Sequence, residues 1–164
     1  MTLKQLTGND LAYLAGFIDG DGCINAQIVR RRDYVLKFQI RVSLALFQKT
    51  SRHWFLLQIQ DQLGSGTVRK RPDGVSEYCL VGPSSIRNVL QNLLPYLRLK
   101  KNQAKIVLSV IDTLSKSQDP QAFVKLCEMV DTIADLNDSK KRTLRASVVR
   151  SELGLDSESI PCRD

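Results

Sequence analysis

Ala12, Gly16 and Gly20 recur every four residues, and on an α-helix that spacing lines one narrow face with almost no side chain. So bare a face lets another backbone approach closely, which demands a fold that sets a second helix directly against this one. The helix then stops at Asp21 and Gly22. Glycine suits the left-handed conformation that ends many helices, whereas aspartate is badly placed at a C-terminus already carrying partial negative charge. An anion held against exposed carbonyls invites a cation. The Asp21 carboxylate and the Gly20 carbonyl supply the hard oxygen ligands that Mg²⁺ prefers, with water and phosphate left to complete the shell. Taken alone, a glycine-rich helix end with two aspartates is more often a cap or a turn. Asp19, two residues from Asp21, projects to the other side of the helix and reads as structural.

Residues 14–22, Leu-Ala-Gly-Phe-Ile-Asp-Gly-Asp-Gly, form one run of nine residues. They resemble the signature of the LAGLIDADG homing endonucleases, with Phe17 in place of leucine and Gly20 in place of alanine. The resemblance implies that Asp21 holds the catalytic metal and that the Gly20 carbonyl is a further ligand. The motif occurs once in 164 residues, with no internal repeat, so a nuclease of this kind takes its second active site from a second chain. Single-motif members of the family act as homodimers. Packing agrees, because the stripe of Ala12, Gly16 and Gly20 needs a partner helix and twofold symmetry offers an identical one.

Charge is concentrated rather than spread. Ten basic residues lie between positions 28 and 71 against Asp33 and Asp61, which makes that segment +8; with a chain total of +7, the remainder is −1. A solvated face is the usual explanation of a basic run, but such faces normally mix both signs, and this one points to a polyanion. Cys23, Cys79, Cys127 and Cys162 are widely spaced, and the chain has one histidine. That pattern favours free thiols in a reducing compartment and argues against a zinc site. No apolar run reaches membrane-spanning length, and no signal pattern precedes the first helix, so the expectation is a soluble protein made where it works, without a membrane partner.

The expected order is αββαββα plus C-terminal helices, an α+β fold with a four-stranded antiparallel DNA-binding sheet backed by helices. It is read as one domain over residues 1–153 followed by a disordered tail, 154–164. Residues 7–10 form a capping box for the first helix. From 36 to 46 apolar and polar residues alternate strictly, and 23–30 behave likewise, so two strands are expected with a basic hairpin, Arg30 to Arg32, between them. Thr50 or Ser51 caps a second helix that ends at Gly64. In the next hairpin Val68, Tyr78 and Leu80 face the core, and Pro72, Asp73 and Gly74 make the turn. Helices follow from Pro83, from about 102 to 114, from Asp119 and Pro120 as cap and first position, and from near Ser139.

With one sheet face covered by helices, the other carries Asn25, Gln27, Lys37, Gln39, Arg41, Ser43, Arg69 and Arg71, with Arg31 and Glu77 beside them. Amides suit adenine edges and arginines guanine edges in the major groove, which admits a β-ribbon; few aromatics lie on this face, which favours duplex DNA over single strands or RNA loops. A strand of eleven residues at about 3.3 Å each covers about 36 Å, or ten or so base pairs per subunit. Symmetry then predicts two related half-sites with cutting near the centre. Lys140, Lys141, Arg142 and Arg145 are expected to hold phosphates.

Two Asp21 carboxylates meeting at a dyad would repel unless divalent cations neutralised them. The expectation is two or more Mg²⁺ per dimer, shared at the dyad, supporting in-line phosphodiester hydrolysis. The resemblance adds Gln48, Arg52 and Lys100, which fall where the family has residues that organise water and the scissile phosphate; from sequence alone each could equally be an exposed polar residue. It also implies a double-strand break with short 3′ overhangs, and residence in a chloroplast or mitochondrion. His53 reads as a surface or packing residue. Other readings are a noncleaving DNA-binding protein or RNA-splicing maturase on the same scaffold, a different nuclease suggested faintly by Pro72, Asp73 and Glu77, and a structural dimerisation domain.

Overall fold

The computed structural model describes residues 6–114, 119–137 and 142–155. Helix α1 (Gly8–Asp21) opens as expected: the Thr7 side chain accepts from the Asp10 backbone N–H, and the Asp10 carboxylate accepts from that of Thr7. There is no loop after it. Strand β1 (Gly22–Arg30) leaves directly from the helix end, and β2 (Phe38–Lys49) returns antiparallel to it, Gly22 opposite Leu46 and Arg30 opposite Phe38. A 3-10 turn (Thr50–Arg52) leads into α2 (His53–Leu63), and a second hairpin follows, β3 (Thr67–Lys70) and β4 (Val75–Val81). The sheet order is β1-β2-β4-β3, all antiparallel. Helices α3 (Pro83–Leu93), α4 (Lys101–Leu114), α5 (Pro120–Leu136) and α6 (Ala146–Glu152) complete the described residues.

The period of two in β1, β2 and β4 sorts their side chains. Ile24, Ala26 and Ile28 of β1, Phe38 to Leu46 on even positions of β2, and Tyr78 and Leu80 of β4 are buried. Onto this face pack Leu14, Ala15 and Ile18 of α1, Leu56 and Ile59 of α2, and Ile86, Val89 and Leu90 of α3, in one continuous core. The opposite face holds the polar positions, half-buried or exposed. His53, at the start of α2, has its Nδ1 2.9 Å from the hydroxyl of the buried Ser76, which makes it a packing residue.

Three expectations shift. Strand β2 spans Phe38–Lys49 rather than 36–46, because the hairpin loop closes with the Arg31 N–H on the Lys37 carbonyl and Lys37 at φ 61°, while the far end extends by pairing Lys49 with Val75. The last helix begins at Ala146, not near Ser139, which lies outside the described residues; residues 142–145 are not helical, and Asp131 of α5 accepts the Ala146 N–H at 2.9 Å, fixing the new start. The tail does not begin at 154, since Leu153 and Leu155 both pack against the core; residues 156–164 lie outside the described ones.

Candidate active site and nucleic-acid interface

Asp21 ends α1 with its side chain exposed, and β2 runs close enough to bring Gln48 beneath it. The Gln48 amide donates to Asp21 Oδ2 at 2.8 Å, and Arg52 donates to Gln48 Oε1 at 3.0 Å. Arginine has only donors, so it fixes which end of the amide points where and turns the Gln48 NH₂ towards the carboxylate. Gln48 is 8% exposed, a buried polar residue satisfied at both ends by this relay. Three residues named from sequence, Asp21, Gln48 and Arg52, are thus one connected unit.

Lys100 reaches the same helix end from behind. Its ammonium donates to the carbonyls of Ile18, at 3.0 Å, and Asp19, at 2.5 Å. These carbonyls belong to the last turn, where a cation meets the negative end of the helix dipole, and that of Ile18 also accepts the Gly22 backbone N–H. The Asp19 carboxylate points away from Asp21 and accepts the backbone N–H groups of Arg98, at 2.7 Å, and Lys100, at 2.9 Å. Burial pushes its pKa up, but the backbone bonds from Lys100, Arg98 and Leu99 and the Lys100 charge outweigh this and leave it below the ordinary carboxylate value. Asp19 therefore ties the loop that carries Lys100 to α1.

Gly22 is needed for a reason the sequence reading did not supply. It is extended (φ −91°), not left-handed, but a Cβ there would lie 2.8 Å from the Ile18 carbonyl oxygen and 2.9 Å from its Cα. Only glycine lets a strand leave a helix so abruptly.

Ala12, Gly16 and Gly20 share the exposed face of α1, and a Cβ built on either glycine meets nothing within 4 Å. Beside the stripe stand Tyr13 (62% exposed), Trp54 (64%) and Leu57 (45%), with Tyr13, Phe17 and Trp54 all meeting Phe55 edge to face. The sequence reading did not single out this patch. Its signal was the helical spacing of α2: Trp54 and Leu57 adjoin the buried positions Leu56 and Ile59 and cannot face inward with them.

On the open sheet face the register builds cross-strand rows. Asn25 lies opposite Ser43, Gln27 opposite Arg41, and Phe47, Glu77 and Arg69 form one line across three strands. Gln39 accepts from Arg31 at 3.3 Å; Arg31 also bonds Asp33, whose carboxyl it holds down to about 2. The Arg69 guanidinium bonds the Glu77 carboxylate at 2.7 Å. Two expected face residues lie elsewhere. Lys37 belongs to the hairpin loop, its ammonium on the Arg32 carbonyl, and Arg71 follows the end of β3 and pairs with Asp73 at 2.8 Å. Both were read into strands whose ends are set by turns, not by periodicity. Lys140 and Lys141 lie outside the described residues. Arg142 is half-buried against the edge of β1, donating to Asn25 Oδ1 at 2.9 Å and the Val130 carbonyl at 3.4 Å, and Arg145 pairs with Asp135.

Among the described residues no three His, Cys, Asp or Glu side chains converge on one point. One protomer offers a cation a carboxylate and a helix-end carbonyl, hard oxygen donors of the kind Mg²⁺ takes, and half of what a closed shell needs. No helix among the described residues is long and apolar enough to cross a membrane.

A family model described as LAGLIDADG endonuclease matches residues 14–110. DNA endonuclease I-CvuI of Chlorella vulgaris is 55% identical over 139 residues, 85% of this chain and 86% of that one, and DNA endonuclease I-CreI of Chlamydomonas reinhardtii is 44% identical over 149, covering 90% and 91%. Among solved structures, homing endonuclease I-CvuI bound to the I-CreI target in 2 mM Mg superimposes with a TM-score of 0.85 at 53% identity, covering 88% of this chain and 92% of that one; a second, bound to its own target in 2 mM Ca, gives the same values.

Proposed function

The chain belongs to the LAGLIDADG endonuclease family, and from that premise we propose that it is a homodimeric, Mg²⁺-dependent, site-specific endonuclease that hydrolyses both strands of a long pseudo-palindromic DNA target. The observation that carries the reading is the relay at the end of α1: an exposed carboxylate, Asp21, steadied by Gln48 and Arg52, beside a helix face built only of Ala12, Gly16 and Gly20. A second copy set against that face brings a second Asp21 and Gly20 carbonyl, and doubles the hard oxygen donors at the dyad. The exposed Tyr13, Trp54 and Leu57 extend the same surface and would be covered with it. Divalent cations held between the two Asp21 side chains would lower the pKa of an attacking water and neutralise the leaving 3′-oxygen.

Each remaining residue has a role that follows from its contacts. Gln48 orients Asp21 and presents an amide towards the water that attacks. Arg52 holds Gln48 and keeps further N–H donors for the scissile phosphate. Lys100, on the last carbonyls of α1, adds positive charge where the phosphorane develops negative charge. The open sheet face reads base edges through Asn25, Gln27, Gln39, Arg41 and Ser43, while Arg31, Lys37, Arg71 and the ion-paired Arg69 and Glu77 border it. Chloroplast or mitochondrial residence completes the proposal, supported by the sources of both relatives, and fractionation of the source cells tests it.

The decisive experiment is Asp21→Asn, assayed for linearisation of a target plasmid with and without Mg²⁺ and for binding of the same duplex. Cutting should fall by more than about a hundredfold while affinity changes little, since each protomer loses a transition-state charge partner. Equal loss of both would refute the assigned role, and a wild-type protein that binds duplex but never cuts it would point to the noncleaving or maturase reading.

A further inference from the structure

Asn25 stands on the open face of β1, and one end of its amide is already engaged. Arg142 Nη2 donates to Asn25 Oδ1 at 2.9 Å. A guanidinium has N–H groups only, so the oxygen must be the end that faces it and the NH₂ the end that turns away. Arg142 is itself held: it donates to the Val130 carbonyl of α5 at 3.4 Å, and the same stretch of chain is fastened to β1 where Asn137 donates to the Ile24 carbonyl at 2.8 Å. It is also half-buried, which limits where its head can go.

An unrestrained asparagine reads adenine with both ends of its amide, donating to N7 and accepting from N6–H. With the oxygen turned towards Arg142, the end of the amide left for a base edge is the NH₂, a donor. Guanine offers two acceptors there, N7 and O6, and cytosine offers only a donor. We propose that Arg142 is a specificity-positioning residue, locking the Asn25 amide so that this position of the half-site selects guanine over adenine and excludes cytosine. The inference rests on the DNA-cleaving function argued above. Asn25 is four residues along the chain from Asp21, so at about 3.3 Å per residue the base pair it reads lies about 13 Å, or four steps, from the cutting position.

The test is selection of bound and of cleaved sites from duplexes randomised over the central positions, with the wild-type protein, Arg142→Met, Arg142→Lys and Asn25→Asp. Wild type should favour guanine at that step in both half-sites. Arg142→Met, which keeps length but cannot donate, should raise the use of adenine relative to guanine about tenfold there and nowhere else, while Arg142→Lys should keep the guanine preference. Asn25→Asp removes the donor and should move the preference to cytosine, whose N4–H₂ a carboxylate accepts. If Arg142→Met instead weakened all sequences evenly and lowered the salt slope by one phosphate contact, Arg142 would be a backbone clamp and the proposal would fall. Should Arg142→Met not fold, Asn25→Asp decides, an unchanged guanine preference overturning the proposal. A wild-type protein that selected no duplex at all would sink the functional reading as well; selective binding with an indifferent Arg142→Met sinks only this one.

Discussion

Gly16→Ala should have opposite effects on the single chain and on its dimer. In the chain, a methyl at Gly16 meets nothing within 4 Å, so the substitution costs no packing. Alanine in a helix interior is favoured over glycine by about 0.5–1 kcal/mol, and for a chain of this size 1 kcal/mol moves the unfolding midpoint by about 2–4 °C. The isolated protomer should therefore melt about 1–4 °C higher. In a dimer packed on this face the same methyl would point into the gap between two helices, and by symmetry two methyls would enter it. Overpacking costs about 1–3 kcal/mol for each, or about 2–6 kcal/mol for the pair, at least about a 30-fold rise in dimer Kd. The gain in helix propensity is common to both states and does not offset this. Sedimentation over a dilution series gives the Kd, and thermal unfolding at a concentration where the protein is monomeric gives the other half, since a dimer's midpoint moves with concentration. A stabilised monomer with an unchanged Kd would show that this face of α1 is not the contact. A destabilised monomer would show that the space beside Gly16 is filled by the chain itself.

Gly22→Ala should destabilise the fold by about 1–3 kcal/mol in urea titrations, because its methyl would meet the Ile18 backbone at 2.8 Å, and Gly22→Ser should do no better. Asp19→Asn should cost stability most at neutral pH. The folded-state pKa of Asp19 is depressed, so its contribution is complete above the ordinary carboxylate range and disappears as pH falls through the folded value; the gap between wild type and variant should begin to narrow below about pH 4 and close only beneath that folded value, and a gap independent of pH would refute the bonding to Arg98 and Lys100. Affinity for duplex DNA should fall steeply with salt, by about 10³–10⁵ between 50 and 200 mM for six to ten phosphate contacts, as fluorescence anisotropy would record; a flat response would exclude the basic face as the binding surface.

Periodicity carried most of the fold, and it carried it unevenly. Where burial alone places a residue, the alternation in β1, β2 and β4 named the correct face at nearly every position, since a slip of one residue would expose Ile24, Ala26 and Ile28 together. It failed at strand ends. Lys37 and Arg71 continue the alternating pattern of their strands, yet hydrogen bonds across the turns, Arg31 to Lys37 and Arg71 to Val75, decide where pairing stops. The last helix was misplaced for a similar reason: its start is set by Asp131, fifteen residues earlier in the chain, which no local pattern reveals. At the site, residue types were legible but partnerships were not. Nothing in the spacing of Asp21, Gln48 and Arg52 says that they form a relay, and Arg142 read as one more phosphate contact until its amide partner was seen.

The end of α1 also gives the physical reason why Asp21, and not Asp19, is the aspartate proposed for the chemistry. A helix C-terminus already carries about half a negative charge, and Asp19 and Asp21 add two more within one turn. The chain answers the first by spending Asp19 on the Arg98 and Lys100 backbone and laying the Lys100 ammonium over the last carbonyls. It does not answer the second in the same way: the side chain that bonds Asp21 is a neutral amide, with the Arg52 charge one residue further back. A full cation in contact would have quenched Asp21 as a ligand, and an unsupported carboxylate would swing freely. An amide steadies it without neutralising it, and a second copy packed on the bare helix face beside it would bring up a second carboxylate held in the same way.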